Sequence, residues 1–256
     1  MSMLQRLVTA EVFALLLVFA RVGSAMVLLP GIGENYVSPR VRLLLAGAVT
    51  ILVTPVLAPR LPAQPGSPAL LGVLIGGEVG IGLFIGSVAR LMIATLETAG
   101  TLISFQIGLA TASVFNPLLS DQGSLTSVLI SIAGMVLLFQ TDMHHLMLRG
   151  VVDSYTLFVP GALPPIGDFT EMISRTMSRS FAIALQLASP FLVVSLMLYV
   201  ALGLISRLMP QLQIFFVALP LQIALGFLLL VLTFSTLMLW FLNNFAAVMR
   251  GFLAPV

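Results

Sequence analysis

Between Arg207 and Arg250 the chain runs 42 residues without a charged side chain. As one straight helix that run would be about 63 Å long at 1.5 Å per residue, about twice the ~30 Å hydrocarbon core of a bilayer. A helix in water needs a polar face, and this stretch has none. It must lie in lipid or against other apolar protein. It must also tilt, break at Pro220, or extend outside the membrane. The rest of the chain reads similarly: of its 256 residues 59% are hydrophobic and 8% charged, against about 25% charged in soluble domains. Lipid cannot satisfy backbone groups, so spanning segments are helices or closed barrels, and these runs have helical length. The expected fold is all-α, a polytopic membrane protein of roughly six long hydrophobic helices with Pro/Gly-broken hairpins.

Charges and breakers divide the chain. Residues 10–30 form a first span ending at Pro30-Gly31. Glu11 and Arg21 interrupt it and no clean small-residue cleavage site follows, so it reads as a retained helix rather than a signal peptide. Residues 43–59 form a second span, and Pro62, Pro65, Gly66 and Pro68 follow as breakers. Residues 70–112 are a third helical region, 113–123 a loop, 124–141 a fourth apolar segment, and 142–153 a polar patch. After a Pro/Gly loop, residues 169–180 are mixed. Glu171, Arg175 and Arg179 there share one helical face, spaced for i,i+4 pairs. Residues 181–205 are a clean apolar span before Arg207 and Pro210. The expected organisation is one helical membrane domain over 1–256, with N-terminal helices in 1–158 and a helical hairpin region in 169–250. Arginine placement, with Arg6, Arg60, Arg149, Arg175, Arg179 and Arg250 on one side and Arg40, Arg42 and Arg207 on the other, favours both termini inside.

Several function classes are poorly served by this sequence. Cysteine is absent, which removes disulfides, thiol chemistry and cysteine metal sites. The eleven basic residues are all arginine, and a net charge of +2 is too small and scattered for a nucleic-acid surface. No catalytic motif is present, so no catalytic residue, cofactor or metal site is assigned and an enzyme is not expected. His144 and His145 are adjacent, so on a helix they diverge by about 100°, which reads as a surface patch.

Four charges fall inside apolar segments: Arg21, Glu78, Arg90 and Glu97. A charge in lipid is costly, so each should face protein or water and find a partner. Arg90 and Glu97 lie two turns apart on one face. They fit either an ion pathway or packing between subunits. Gly72, Gly76, Gly80 and Gly86, with Gly82 offset, give the small-residue spacing that lets helices approach closely. The stretch from Gln106 to Pro117 is apolar yet rich in small polar residues. It reads as a helix end or as a loop lining a passage.

Three stretches together resemble the FliR/SctT family, the export-gate subunit of flagellar and virulence type III secretion systems. The first is Phe19-Ala20-Arg21-Val22-Gly23, with Pro30-Gly31 and then Ser38-Pro39-Arg40-Val41-Arg42-Leu43. The second is Ile107-Gly108-Leu109-Ala110 leading to Asn116-Pro117. The third, and the most specific, is the proline-broken segment 206–222, SRLMPQLQIFFVALPLQ. It sets Arg207, Pro210, Gln211 and Pro220 as a hinge between two apolar helices.

The resemblance implies a place in flagellum assembly. Members combine with FliP- and FliQ-like subunits into a channel, contact FlhB- and FlhA-like components, and pass unfolded flagellar proteins across the bacterial inner membrane at the basal body. It also implies a plug, here mapping onto Gly108 to Gly123. Val114, Phe115, Leu118 and Leu119, around Asn116-Pro117, supply the apolar bulk to exclude water. Where relatives carry phenylalanines this sequence has Thr111 and Val114, with Phe115 beside them. A packed loop without a gating role is the competing reading. At the level of function the alternatives are a virulence type III export subunit and a six-helix small-solute transporter. A transporter should show an internal repeat, and none is found.

Overall fold

The computed structural model describes residues 3–109, 125–162, 166–208 and 214–253, with side chains from residue 11 onward and backbone alone in 214–217. The protein is an all-α polytopic membrane protein, with no strand among the described residues. Among the described residues the α-helices are α1 Met3–Leu28, α2 Pro39–Leu57, α3 Pro68–Gln106, α4 Leu125–Gln140, α5 Met143–Leu157, α6 Ile166–Leu208 and α7 Ile214–Met249. Among the described residues five helices are long and apolar enough to cross a membrane, or six if the bent α4–α5 pair is one broken span.

Several helix ends follow directly from local sequence. α1 stops before Pro30-Gly31, where Gly31 takes φ 79, the left-handed conformation that closes helices and that only glycine adopts freely. α2 starts at Ser38-Pro39: the Ser38 hydroxyl accepts the Val41 amide at 3.4 Å, and Pro39 occupies a first-turn position where no N–H is missed. The intervening loop is held by Arg42, whose Nε donates to the Ile32 carbonyl at 3.1 Å and whose Nη2 donates to the Glu34 carbonyl at 3.0 Å.

Three expectations are corrected. The polar patch 142–153 is helical: α5 runs through it, burying Met147, Gly150, Val151, Ser154 and Tyr155 along one face. It meets α4 at a 72° bend, made by Asp142 in the left-handed region at φ 57, which aspartate tolerates better than most residues. Next, residues 169–180 and 181–205 are not separate, because both belong to the single 43-residue α6, with Pro190 inside it. Finally, Pro220 does not break the last span. It sits inside the 36-residue α7, which gives up one backbone bond there and continues.

The Cα positions cluster into two compact units. One comprises Met1–Leu91, Phe139–Thr176 and Phe245–Val256, and the other Met92–Leu138 and Met177–Asn244. In the first, Leu17, Val22 and Met26 of α1, Ile81 and Ile85 of α3, and Met147 and Val151 of α5 form the core. Phe84 stacks on Phe169 at 3.9 Å, and Phe252 approaches it edge-on at 5.9 Å.

In the second unit the C-terminal part of α3 packs on α4. A side chain at Gly100 would strike the Ser127 backbone, and Ser127 Oγ donates to the Glu97 carbonyl at 2.9 Å. α6 and α7 form an antiparallel hairpin. Gln222 Nε2 donates to Tyr199 Oη at 3.1 Å near its tip, and Arg179 Nη2 donates to Asn244 Oδ1 at 3.3 Å near its base. The two polar contacts are separated by 20 residues of α6, about 30 Å of helix, which matches the hydrocarbon thickness.

Candidate functional site

The first unit is organised around one charged group. Arg21 is fully buried on α1 and Glu78 nearly so on α3. Arg21 Nε donates to Glu78 Oε2 at 2.6 Å and Nη2 donates to Oε1 at 3.0 Å. This is the two-pronged geometry that the planar guanidinium makes with a carboxylate. Two further donors are used: Nη1 to Ser154 Oγ at 3.2 Å and Nη2 to the Phe158 carbonyl at 3.1 Å. The guanidinium carbon lies 3.8 Å from the centre of the Tyr155 ring, a cation–π contact strengthened by the burial of both side chains. The Tyr155 hydroxyl is buried with no hydrogen-bond partner among the described residues.

α3 comes close enough to α1 for this pairing because of two glycines. A side chain at Gly82 would overlap the Arg21 carbonyl and Ser24 Oγ, and one at Gly86 would lie 2.8 Å from the Ala25 carbonyl. The expected glycine stripe is corrected in part: Gly72, Gly76 and Gly80 face open space. The working pair is the offset Gly82 with Gly86, four residues apart and so one above the other. The first motif also borders an apolar cavity of about 380 Å³ lined by Phe19, Gly23, Pro39 and Leu43 among others.

The other sequence-selected residues are dispersed. Arg90 is half-exposed and lies 3.7 Å from Glu34, so its partner is in the loop after α1 and not Glu97. Glu97 is exposed, and its carboxylate makes no ion pair among the described residues. Arg175 pairs with Glu171 on an exposed face, as the i,i+4 spacing predicts. Gly108 takes φ 81 just past α3. Arg207 is exposed at the end of α6, and Pro220 is exposed on α7. Val114, Phe115, Asn116, Pro117, Leu118, Leu119, Pro210 and Gln211 lie outside the described residues.

His144 and His145 do not diverge as their adjacency suggests. Their rings lie 4.1 Å apart, and with Asp142 they place ligand-type atoms within 4.8 Å of one another. The left-handed turn at Asp142 brings its carboxylate to 3.4 Å from His145 Nδ1. Asp142 and His145 are exposed.

A buried ion pair pinning long apolar helices, with an exposed carboxylate on one of them, defines a polytopic helical membrane protein. Residues 12–248 match the family described as bacterial export proteins, family 1, and the chain belongs to that family, the FliR/SctT family. It is similar to the flagellar biosynthetic protein FliR of Caulobacter vibrioides, 38% identical over 231 residues covering 90% of this chain and 92% of that one. It is 34% identical to FliR of Bacillus subtilis over 185 residues, covering 70% and 71% of the two chains. It is also 34% identical to the Yop proteins translocation protein T of Yersinia pestis over 164 residues, 63% of each chain.

Proposed function

We propose that the chain, a subunit of the flagellar type III export apparatus, builds the membrane channel of that apparatus with FliP- and FliQ-like subunits. In this reading it contacts FlhB- and FlhA-like components, resides in the bacterial inner membrane at the flagellar basal body, and conducts unfolded flagellar proteins without performing covalent chemistry. The observation that carries the reading, beyond family, is Glu97: an exposed carboxylate on an apolar span is costly in lipid and calls for a protein neighbour. The broad apolar faces of α6 and α7, with Leu196, Met197, Leu228 and Leu232 exposed, fit the same need. The test is co-purification in mild detergent with FliP- and FliQ-like partners. A sharp, stable monomer that ignores both partners would overturn the reading.

The segment Gly108 to Gly123 is assigned the closing role. Gly108 at φ 81 turns the chain out of α3, and Val114, Phe115, Leu118 and Leu119 supply bulk for a constriction that gates by dewetting. Asn116-Pro117 disfavours helix before the proline. Deleting residues 110–120 should give an assembled complex that leaks ions. A fully assembled deletion complex as tight as the parent would remove the gating role.

A further inference from the structure

The C-terminal carbonyls of a helix lack donors within the helix. At the end of α3 a donor comes from α7: Gln222 Nε2 donates to the Gln106 carbonyl at 2.7 Å and to Tyr199 Oη of α6 at 3.1 Å. Both hydrogens of that amide are used. The Gln106 side chain serves the other helix, its Oε1 accepting from Ser195 Oγ at 2.6 Å. Ser195 and Gln222 are buried, at 5% and 8% exposure, in apolar stretches of α6 and α7.

The next residues are gripped by shape. Ile107 is 2% exposed and seated on Gly226, where any Cβ would overlap it. Gly108 presents its bare α-carbon to the Gln222 amide, which a Cβ there would meet at 3.4–3.6 Å. Gln222 and Gly226 are four residues apart and therefore adjacent on one face of α7. Together they receive a carbonyl and then a side chain from consecutive residues. The cavity left between these groups is about 10 Å³, room for one water at most.

We propose that Gln222 is a positioning residue, a latch that joins the end of α3 to the α6–α7 hairpin and so sets where and in which direction the chain leaves α3 at Gly108. The functional weight of the latch rests on the reading that Gly108 to Gly123 closes the export path. In apolar surroundings the latch is either made or broken. Withdrawing α3 strands the Gln106 carbonyl and one hydrogen of the Gln222 amide, while the Ser195 hydroxyl can still donate to the Leu192 carbonyl, and buried polar groups without partners are strongly disfavoured. These hydrogen bonds therefore favour α3 docked on the hairpin over α3 withdrawn from it. Gln222→Leu removes the donor while keeping similar volume, and Ser195→Ala removes only the second strand of the latch.

The chain has no cysteine, so Ser104→Cys, at a site 3% exposed, gives a single thiol reporter on the last turn of α3. The experiment measures maleimide labelling of that thiol in the chain co-expressed with its FliP- and FliQ-like partners. With Gln222→Leu labelling should accelerate at least tenfold, and with Ser195→Ala by a smaller factor. If Gln222→Leu fails to assemble, Ser195→Ala and Gln222→Glu carry the comparison. Rates within twofold of the parent in the assembled variants would overturn the latch. Conductance separates the two readings. Faster labelling with no leak from either Gln222→Leu or the 110–120 deletion keeps the latch and removes the plug. A leaking deletion with unchanged labelling does the reverse.

Discussion

Arg21 and Glu78 meet through two parallel hydrogen bonds, of 2.6 and 3.0 Å, across 57 residues of sequence. Removing either partner leaves the other as a buried, uncompensated charge, which costs about 3–5 kcal/mol. Arg21→Ala or Glu78→Leu should therefore lower the thermal midpoint in detergent sharply and reduce the amount recovered from membranes. Arg21→Lys should rescue little, because an ammonium cannot fork to both carboxylate oxygens while also reaching Ser154. The double change Arg21→Met with Glu78→Leu should recover most of the loss. A double variant as unstable as the worse single one would show that the pair is not the source of the effect.

The α3 glycines should sort by what they face. Gly82→Ala and Gly86→Ala push against the α1 backbone and should force the helices apart, weakening the Arg21–Glu78 contact. Gly72→Ala and Gly76→Ala meet open space and should be tolerated or gain up to about 1 kcal/mol from helix propensity. Thermal melts of the four single variants decide the matter; equal behaviour would contradict the close approach seen at Gly82.

Glu97 separates folding from assembly. Its side chain is exposed and unpaired among the described residues, so Glu97→Gln should leave the melting of the isolated chain unchanged. Capture of the partner subunits should fall several-fold. Undiminished co-purification of both Glu97→Gln and Glu97→Leu would rule out a role at a subunit contact.

The hairpin register is open to chemical test. The contacts Tyr199–Gln222 and Arg179–Asn244 place residues 192 and 229 at the same level. Cysteines at Leu192 and Leu229 should cross-link with a short bismaleimide, whereas one continuous helix would hold them about 56 Å apart. No cross-link under conditions that join a control pair would refute the hairpin.

Legibility in the sequence followed the range of the interaction. The apolar runs reported the long helices, because hydrocarbon leaves no alternative for a 20-residue uncharged stretch. α5 was hidden because its polar content reads as surface, although its buried face has helical spacing at Met147, Val151 and Ser154. Pro220 read as a break because proline chemistry is local, whereas the helix around it is held by its packing. The demand of Arg21 for a partner was visible. That the partner is Glu78 rather than Glu97 was not, since it depends on which α3 glycines α1 meets. Ser195, Tyr199 and Gln222 carried a signal that went unread: isolated polar residues in apolar helices are where hydrogen bonds between helices occur.

The spacing of the Arg21 contacts also sets a schedule for synthesis. Glu78 follows Arg21 by 57 residues and the Phe158 carbonyl by 137. At about 5–20 residues per second, the arginine waits roughly 3–11 s for its counter-ion and roughly 7–27 s for its last acceptor. Until Glu78 is made, α1 is an apolar helix carrying an uncompensated cation, which is costly in lipid. The first helix synthesised thus depends on α3 and on the residues at the end of α5 for its full set of contacts. A ribosome that stalls before residue 158 leaves behind a chain whose central charge has no complete binding site.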